Sequence, residues 1–483
     1  MNRLKFTFCQ KFLFTILLLS FGLFSCFYTT IENETPNVII IFTDDLGYAD
    51  LSSFGATNYE TPNLDQLAKE GARFTSFYVS QPVCTASRAA LLTGAYSNRI
   101  GLNGAIGPSS SIGINSNETT LGELFQRNGY QTAIYGKWHL GVIPEFHPKL
   151  HGFDDFYGIP YSNDMWPFHP ETPGNWPDLP LFDKEAIVGY NPDQARFTSD
   201  LTKHSIEFIE KSLRKNSPFF LYLAHPMPHV PLFVSPEREG MSDAGLYADV
   251  IREIDWSLGE ITKALAMHDA EENTLIIFTS DNGPWLSYGN HSGSASPFRE
   301  GKGTVFEGGV RVPFIARWPA QIPASLEVST PAMTIDLFPT MAEILGDNKT
   351  NLIIDGESIY GLLTGVSQAA VQKAYYFYYR NNELQAMRSD NWKLHFPHNY
   401  RTMDYQNPGR DGIPGLYNYD VQIGLELFNL NNDISEQYNV ADQHPEVLER
   451  LSALADQKRL ELGDTLTNVE GSQNRVPGRI KTD

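Results

Sequence analysis

Two unbroken apolar runs constrain this chain more than any other feature: Val38-Ile39-Ile40-Ile41-Phe42, and residues 274–279, which carry Leu275, Ile276, Ile277 and Phe278. A strand with one wet face alternates polar and apolar residues. Runs without alternation suit strands covered on both faces, as in a mainly parallel sheet. A third run, residues 218–224, holds Phe219, Phe220, Leu221, Tyr222 and Leu223. Between them lie helix-like segments at 63–71 and 120–129, the latter opening on cap-type threonines and ending in glycine. Strands alternating with helices predict an α/β domain built on a parallel sheet sandwiched by helices. At 483 residues the chain exceeds one ordinary core, and beyond about residue 370 the pattern changes. Residues 375–379, 385–388 and 392–396 read as short strands of an antiparallel sheet, and Pro445 opens a helix with Leu448, Leu451 and Leu454 on one face. The expected division is a leader over 1–25, a main domain over 26–370 and a smaller C-terminal α+β subdomain over 371–483. Residues 159–191 and 396–419, rich in proline and aromatics, are expected as irregular insertions, either rims of a site or packed surface loops.

The leader has Arg3, Lys5 and Lys11 ahead of an apolar run from Phe12 to Phe24, too short to span a bilayer comfortably. Its end, Leu23-Phe24-Ser25-Cys26, resembles a bacterial lipoprotein cleavage site, where the cysteine is lipidated; ordinary signal-peptide cleavage nearby is the alternative. Either way the product is exported, to the periplasm or the outer-membrane or cell surface, with membrane contact only through a lipid anchor. Without the leader the balance is 33 basic against 57 acidic residues, or −24. Such a surface excludes nucleic acid as a partner, and any anion site must be locally basic. Of three cysteines, Cys9 and Cys26 belong to the leader region, leaving Cys84 alone in the body. An exported protein with one body cysteine has no internal disulfide, and a lone thiol there is a liability unless buried or chemically converted.

Asp44 and Asp45 follow directly on the first buried strand, and Asp281 and Asn282 occupy the equivalent place after the 274–279 run. Ligands gather beyond the carboxyl ends of strands in open α/β sheets. Three carboxylates and an amide oxygen are hard ligands that suit calcium or magnesium rather than zinc. The bland alternative is that one pair caps a helix. The segment Pro82-Val83-Cys84-Thr85-Ala86-Ser87-Arg88-Ala89-Ala90-Leu91-Leu92-Thr93-Gly94 reads as a helix starting beside Cys84, whose dipole favours negative charge there. Arg88, four residues on, lies over the same face. Composition alone favours a buried, inert cysteine.

At this segment the chain resembles the type I, formylglycine-dependent, arylsulfatase-like sulfatases of the alkaline-phosphatase-like superfamily. Their Cys-x-Pro-Ser-Arg core and later Leu-Thr-Gly correspond to Cys84-Thr85-Ala86-Ser87-Arg88 and Leu92-Thr93-Gly94, with Ala86 in place of the usual proline. The resemblance continues through Gly136-Lys137-Trp138-His139-Leu140-Gly141, His151-Gly152-Phe153-Asp154, Gly301-Lys302-Gly303-Thr304, Glu307-Gly308-Gly309-Val310-Arg311-Val312-Pro313, Trp392-Lys393-Leu394 and Leu427-Phe428-Asn429-Leu430. Lysosomal arylsulfatases are similar even in Gly158-Ile159-Pro160-Tyr161-Ser162.

The resemblance implies that 26–370 is the catalytic domain and that a formylglycine-generating or equivalent maturing enzyme oxidises Cys84 to 3-oxoalanine. It implies one Ca2+ held by Asp44, Asp45, Asp281, Asn282 and the modified Cys84. One hydroxyl of the hydrated aldehyde would attack sulfur, and deprotonating the other would eject sulfate and restore the aldehyde. Arg88, Lys137 and Lys302 would surround the sulfate with positive charge, Lys302 or His229 would protonate the leaving oxygen, His139 would be the base for elimination, and Ser162 would add a hydrogen bond to sulfate. Lys137 and His139 could instead be solvated, and His225 or His229, around Pro226-Met227-Pro228, structural; His225 is left unassigned. The lipoprotein leader and a rim with Trp166, Trp176 and Trp285 fit a sulfated carbohydrate, a polysaccharide-derived oligosaccharide, as substrate; those rings could equally be packing. The rival readings are a phosphonate or phosphate ester hydrolase of the same superfamily and a non-catalytic, glycan-binding surface protein.

Overall fold

The computed structural model describes residues 35–347, 349 and 352–480. The leader segment with Cys9 and Cys26, including the lipidation expected at Cys26, lies outside the described residues. In chain order the main sheet comprises β1 (Asn37–Thr43), β2 (Ala72–Tyr78), β3 (Gln131–Lys137), β4 (Asp155–Ile159), β5 (Pro180–Asp183), β6 (Ala186–Tyr190), β7 (Phe219–Ala224), β8 (Thr274–Ser280), β9 (Arg311–Arg317) and β10 (Leu326–Val328). Their lateral order is β10-β2-β9-β8-β1-β7-β3-β4-β5-β6, with Ala332–Met333 also paired to β2. The centre, β8-β1-β7-β3-β4, is parallel. Against it run β9, which pairs antiparallel with β8 and β2, and β5, which pairs antiparallel with β4 and with the edge strand β6.

The unbroken apolar runs follow from this layering. Side chains alternate across a strand. Val38, Ile40 and Phe42 enter one core with α2 (Cys84–Thr93), α3 (Leu121–Arg127) and α6 (Leu337–Ile344). Ile39 and Ile41 enter another with α1 (Pro62–Glu70), α4 (Phe197–Arg214) and α5 (Leu246–Ala266). Neither face is wet, so neither tolerates a polar residue. The start of α3 is fixed by a capping box: Thr120 accepts from the Glu123 N–H while Glu123 accepts from the Thr120 N–H.

Beyond the main sheet, β11 (Tyr375–Tyr379), β12 (Glu383–Ser389), β13 (Trp392–His395) and β16 (Glu426–Asn429) form a four-stranded antiparallel sheet, and β14 (His398–Met403) pairs with β15 (Tyr417–Ile423) in a separate hairpin. Phe377, Leu394 and Leu427 share the hydrophobic cluster of α2, as do Leu451 and Leu462 of α7 (Pro445–Leu462). The expected antiparallel sheet is therefore present, and its core is continuous with that of the parallel one.

Two expectations fail here. Residues 159–191 contain the hairpin β5–β6, and residues 396–419 contain β14 and the start of β15. Both hairpins leave many side chains partly or fully exposed, so burial imposes no apolar alternation that sequence could reveal.

The two sheets are also joined by a buried charge network. Lys393 Nζ lies 2.8 Å from Glu307 and 3.1 Å from Glu436, Tyr78 and Arg311 donate to Glu307, and His395 Nε2 lies 2.8 Å from Glu436. Removing one partner strands the others in a dry interior. Lys393→Met is expected to cost about 3–5 kcal/mol, read as a lower urea midpoint; an unchanged midpoint would contradict it.

Candidate active site

The topology brings the acidic pairs together. β1 and β8 are parallel neighbours with Thr43 opposite Ser280, so Asp44-Asp45 and Asp281-Asn282 emerge side by side. Across β1 the next strands are β7, leading to His225 and His229, and β3, ending in Lys137 and leading to His139. Four adjacent strand ends thus converge on one place, and α2 presents Cys84 to it. Asp45 and His139 both adopt left-handed backbone, with φ of 63° and 58°. Such non-glycine conformations cost of order 1–3 kcal/mol and concentrate at functional sites.

Ligand atoms of Asp44, Asp45, Cys84 and His229 lie within 4.8 Å of one another, all buried. Asp281 joins through its Oδ1, which accepts the Asp45 N–H at 3.2 Å, and Asn282 through its Nδ2, which donates to Asp45 at 2.7 Å. Each cage carboxylate meets a cation. Arg88 donates twice to Asp281, at 2.8 and 3.1 Å, and lies 3.4 Å from Asp44. Lys137 donates to Asp44 and, at 3.0 Å, to Ser162 Oγ. Lys302 Nζ sits 2.7 Å from Asp45 and 3.6 Å from Cys84 Sγ. His229 Nε2 is 3.6 Å from Asp45.

Three carboxylates face three cations in a buried cage, yet Asp44 and Asp281 still crowd one another. Burial opposes the charge on Asp44, yet Lys137 and the other cations hold its carboxyl well below the usual range. Burial and then the Asp44 charge push Asp281 up to about 7 despite Arg88. Crowded carboxylates of this kind favour an additional cation. Two buried oxygens, Asp44 Oδ1 and Asn282 Oδ1, have no hydrogen-bond partner among the described residues. Unfilled hard acceptors beside three carboxyls fit a calcium-type ion.

Two imidazoles have assignable tautomers. His139 Nε2 is 2.8 Å from the Ile106 carbonyl, which can only accept, so Nε2 carries the proton and the unpartnered Nδ1 is bare. Burial and then Lys137 hold His139 well below the ordinary imidazole value, keeping that lone pair available. By the same logic His229 bears its proton on Nδ1, 2.5 Å from the Val230 carbonyl, and turns Nε2 toward Asp45. Burial and then Asp44 push the Cys84 thiol well above its usual value. A neutral buried thiol is a poor nucleophile.

All of the predicted site residues except Cys26, which lies outside the described residues, therefore fall in one region, with Arg88 and Lys137 engaged by cage carboxylates. His225 is buried, its ring nitrogens have no hydrogen-bond partner among the described residues, and it is lowered to about 3 by burial. Of the rim tryptophans, Trp285 belongs to the site, under Lys302 at 4.4 Å and 5.5 Å from the His229 ring, whereas Trp166 packs against Phe168 and Phe233. Sequence reasoning missed Asp164, a half-buried carboxylate two residues after Ser162 that burial would raise but that His229, and a hydrogen bond from Ser162, lower. It also missed Arg401, whose guanidinium donates to the Lys302 carbonyl. Only the proximity of Asp164 to Ser162 in the chain offered a signal.

Residues 36–347 match the sulfatase family, and residues 371–477 match the C-terminal region of aryl-sulfatase. The chain is 38% identical to arylsulfatase A of Bos taurus over 451 residues, 88% of this chain and 87% of that protein. It is 35% identical to the N-acetylgalactosamine-6-sulfatase of Mus musculus over 465 residues, covering 90% and 89%. A crystal structure of a sulfatase from Pseudoalteromonas sp. superposes with a TM-score of 0.79 at 28% identity, covering 92% and 93%.

Proposed function

This chain belongs to the sulfatase family, and from that premise we propose that it removes sulfate from a sulfated carbohydrate through an oxidised Cys84 and a bound calcium ion. The observation that carries this reading is the meeting of Cys84, Lys302 and Asp45 at one buried point, with Sγ 3.6 Å and the Asp45 carboxyl 2.7 Å from the same ammonium. In this reading Sγ stands in for the hydroxyls of a formylglycine hydrate. That hydrate supplies two oxygens: one bonds to sulfur as the saccharide oxygen leaves, and the other gives up its proton as sulfate departs and the aldehyde returns. A calcium ion held by Asp44, Asp45, Asp281 and Asn282 would supply Lewis acidity toward sulfate and toward the nucleophile.

The chain's own groups do the rest. Burial opposes the Lys302 charge, but the acidic groups around it, Asp45 first and then Cys84, Asp44 and Asp281, together outweigh burial and keep the ammonium protonated, so it carries a proton for the departing oxygen. His229, facing the same carboxylate, supports that side. The bare Nδ1 of His139 accepts the proton of the second hydroxyl. Lys137 and Ser162, joined at 3.0 Å, present donors to the sulfate oxygens, and Arg88 fixes the carboxylates around them. The saccharide reading is supported by the partly exposed Trp285 ring, backed by the buried Tyr288 5.1 Å away, and by the amino-sugar sulfate named in a relative. Export to the periplasm or cell surface, with Cys26 as lipid anchor, and conversion of Cys84 by a maturing enzyme complete the proposal.

The test is release of sulfate from defined sulfated saccharides, beside aryl sulfate and aryl phosphate. Sulfate release from a saccharide, with sulfate preferred over phosphate, is expected; a phosphate preference, or turnover of aryl sulfate alone, would contradict it. Lys302→Ala is expected to lower kcat on saccharide sulfates by roughly 10²–10⁴-fold and to lose much less on aryl sulfates, whose leaving oxygen needs little protonation. Equal losses across leaving groups would contradict the acid role.

A further inference from the structure

The hairpin β14–β15 contributes one residue to the mouth of this site. Arg401 donates to the Lys302 carbonyl through Nε at 3.1 Å and Nη2 at 2.5 Å. Its guanidinium lies 4.3 Å from the Tyr417 ring centroid and 5.8 Å from that of Trp285. It occupies the space beside Gly303, which has φ of +77° and where an added Cβ would sit 2.6 Å from the guanidinium carbon. Lys302 Nζ lies over the same indole at 4.4 Å. Trp285 therefore bridges two cations, one at the reacting centre and one outward of it.

The outer cation has no ion pair of its own among the described residues. No carboxylate lies within ion-pair distance of Arg401 among the described residues, and Glu300 uses its two oxygens to accept from Thr402 at 2.7 Å and Tyr405 at 2.9 Å. The indole Nε1 of Trp285 likewise has no acceptor among the described residues. Arg401 feels the Glu300 carboxylate only at a distance, and a half-buried guanidinium with no ion pair among the described residues, beside an unpartnered N–H, fits an oxygen-rich anionic group.

We propose that Arg401 and Trp285 form a subsite for a second anionic group, a carboxylate or a further sulfate, on the saccharide that carries the scissile ester. This rests on the sulfatase reading above and specifies its substrate class: acidic saccharides are preferred to singly sulfated neutral ones. Arg401 has a second task, holding the Lys302 loop, and loss of that alone would slow every substrate alike.

The experiment is a comparison of kcat/KM ratios within single preparations of the full-length enzyme, so that the fraction of active protein cancels. The substrates are an aryl sulfate, a neutral monosulfated disaccharide, a uronate-containing monosulfated disaccharide and a disulfated neutral disaccharide. In the parent at least one of the two acidic disaccharides is preferred over the neutral one. Arg401→Gln lowers that preference about ten- to a hundredfold, the contribution of a charge-assisted hydrogen bond, and Arg401→Lys lowers it less. Trp285→Phe, which keeps a ring but loses the N–H, gives a smaller loss with the same selectivity. Loss confined to the uronate substrate identifies a carboxylate subsite; loss confined to the disulfated one identifies a sulfate subsite. A parent without preference, or an Arg401→Gln loss equal on all substrates, overturns the proposal while leaving the sulfatase reading standing. Absence of sulfate release from any substrate by the parent would instead refute that underlying reading.

Discussion

Cys84→Ala is expected to lower kcat for every sulfate ester by roughly 10⁴-fold or more, the scale of losing a covalent nucleophile. Cys84 is 3% exposed and is the first residue of α2, with Lys302 Nζ at 3.6 Å. The carboxylates beside it are engaged by Arg88, Lys137 and Lys302, and His139 Nε2 and His229 Nδ1 by backbone carbonyls. The variant keeps the cations and the cage, so binding of sulfate ester should persist while turnover is lost. That split distinguishes a missing nucleophile from a misfolded site. Cys84→Ser, freed of any cysteine form, should also fail to reach the parent rate. A Cys84→Ala protein retaining a tenth of the parent kcat would remove this residue from the mechanism.

The second large effect is expected from the cation. Exhaustive chelation should lower kcat/KM by roughly 10³-fold, since Lewis-acid stabilisation of this kind supplies several kcal/mol. Calcium should restore it. The physical ground is the unpartnered Asp44 Oδ1 and Asn282 Oδ1, together with an Asp281 carboxyl pushed up to about 7 by burial and Asp44. A cation that binds only the folded chain also raises stability, by about 2.7 kcal/mol at a hundred times its Kd. Addition of calcium should therefore raise the unfolding midpoint even without substrate. Asp45→Asn should abolish most of that shift. Activity and unfolding midpoint both indifferent to chelator would contradict the assignment of the cage.

Much of this was legible in the sequence because the central strands are covered twice. Val38 to Phe42 cannot hide a polar residue, so the run announces itself, and Asp44 and Asp45 stand out at its end. The same holds for Asp281 and Asn282 after β8. The helix after Cys84 and the Thr120–Glu123 cap were readable from local spacing. The roles of Lys137, His139, His229 and Lys302 came from the family resemblance, and the structure shows why they meet: strands β8, β1, β7 and β3 are lateral neighbours. Other features left no trace. The β5–β6 and β14–β15 hairpins expose much of their surface, so no periodicity is enforced. Arg401 is one arginine in a polar stretch, and its contact with Lys302 spans 99 positions. Glu307, Lys393 and Glu436 are similarly scattered, and only the docking of the second sheet on the first makes them a network.

The most direct test of the central claim is the mass of the peptide containing residue 84, taken from enzyme that is turning over sulfate ester. The account predicts an aldehyde, or its hydrate, at position 84 in proportion to specific activity. Full activity with an unaltered thiol at that position would contradict it.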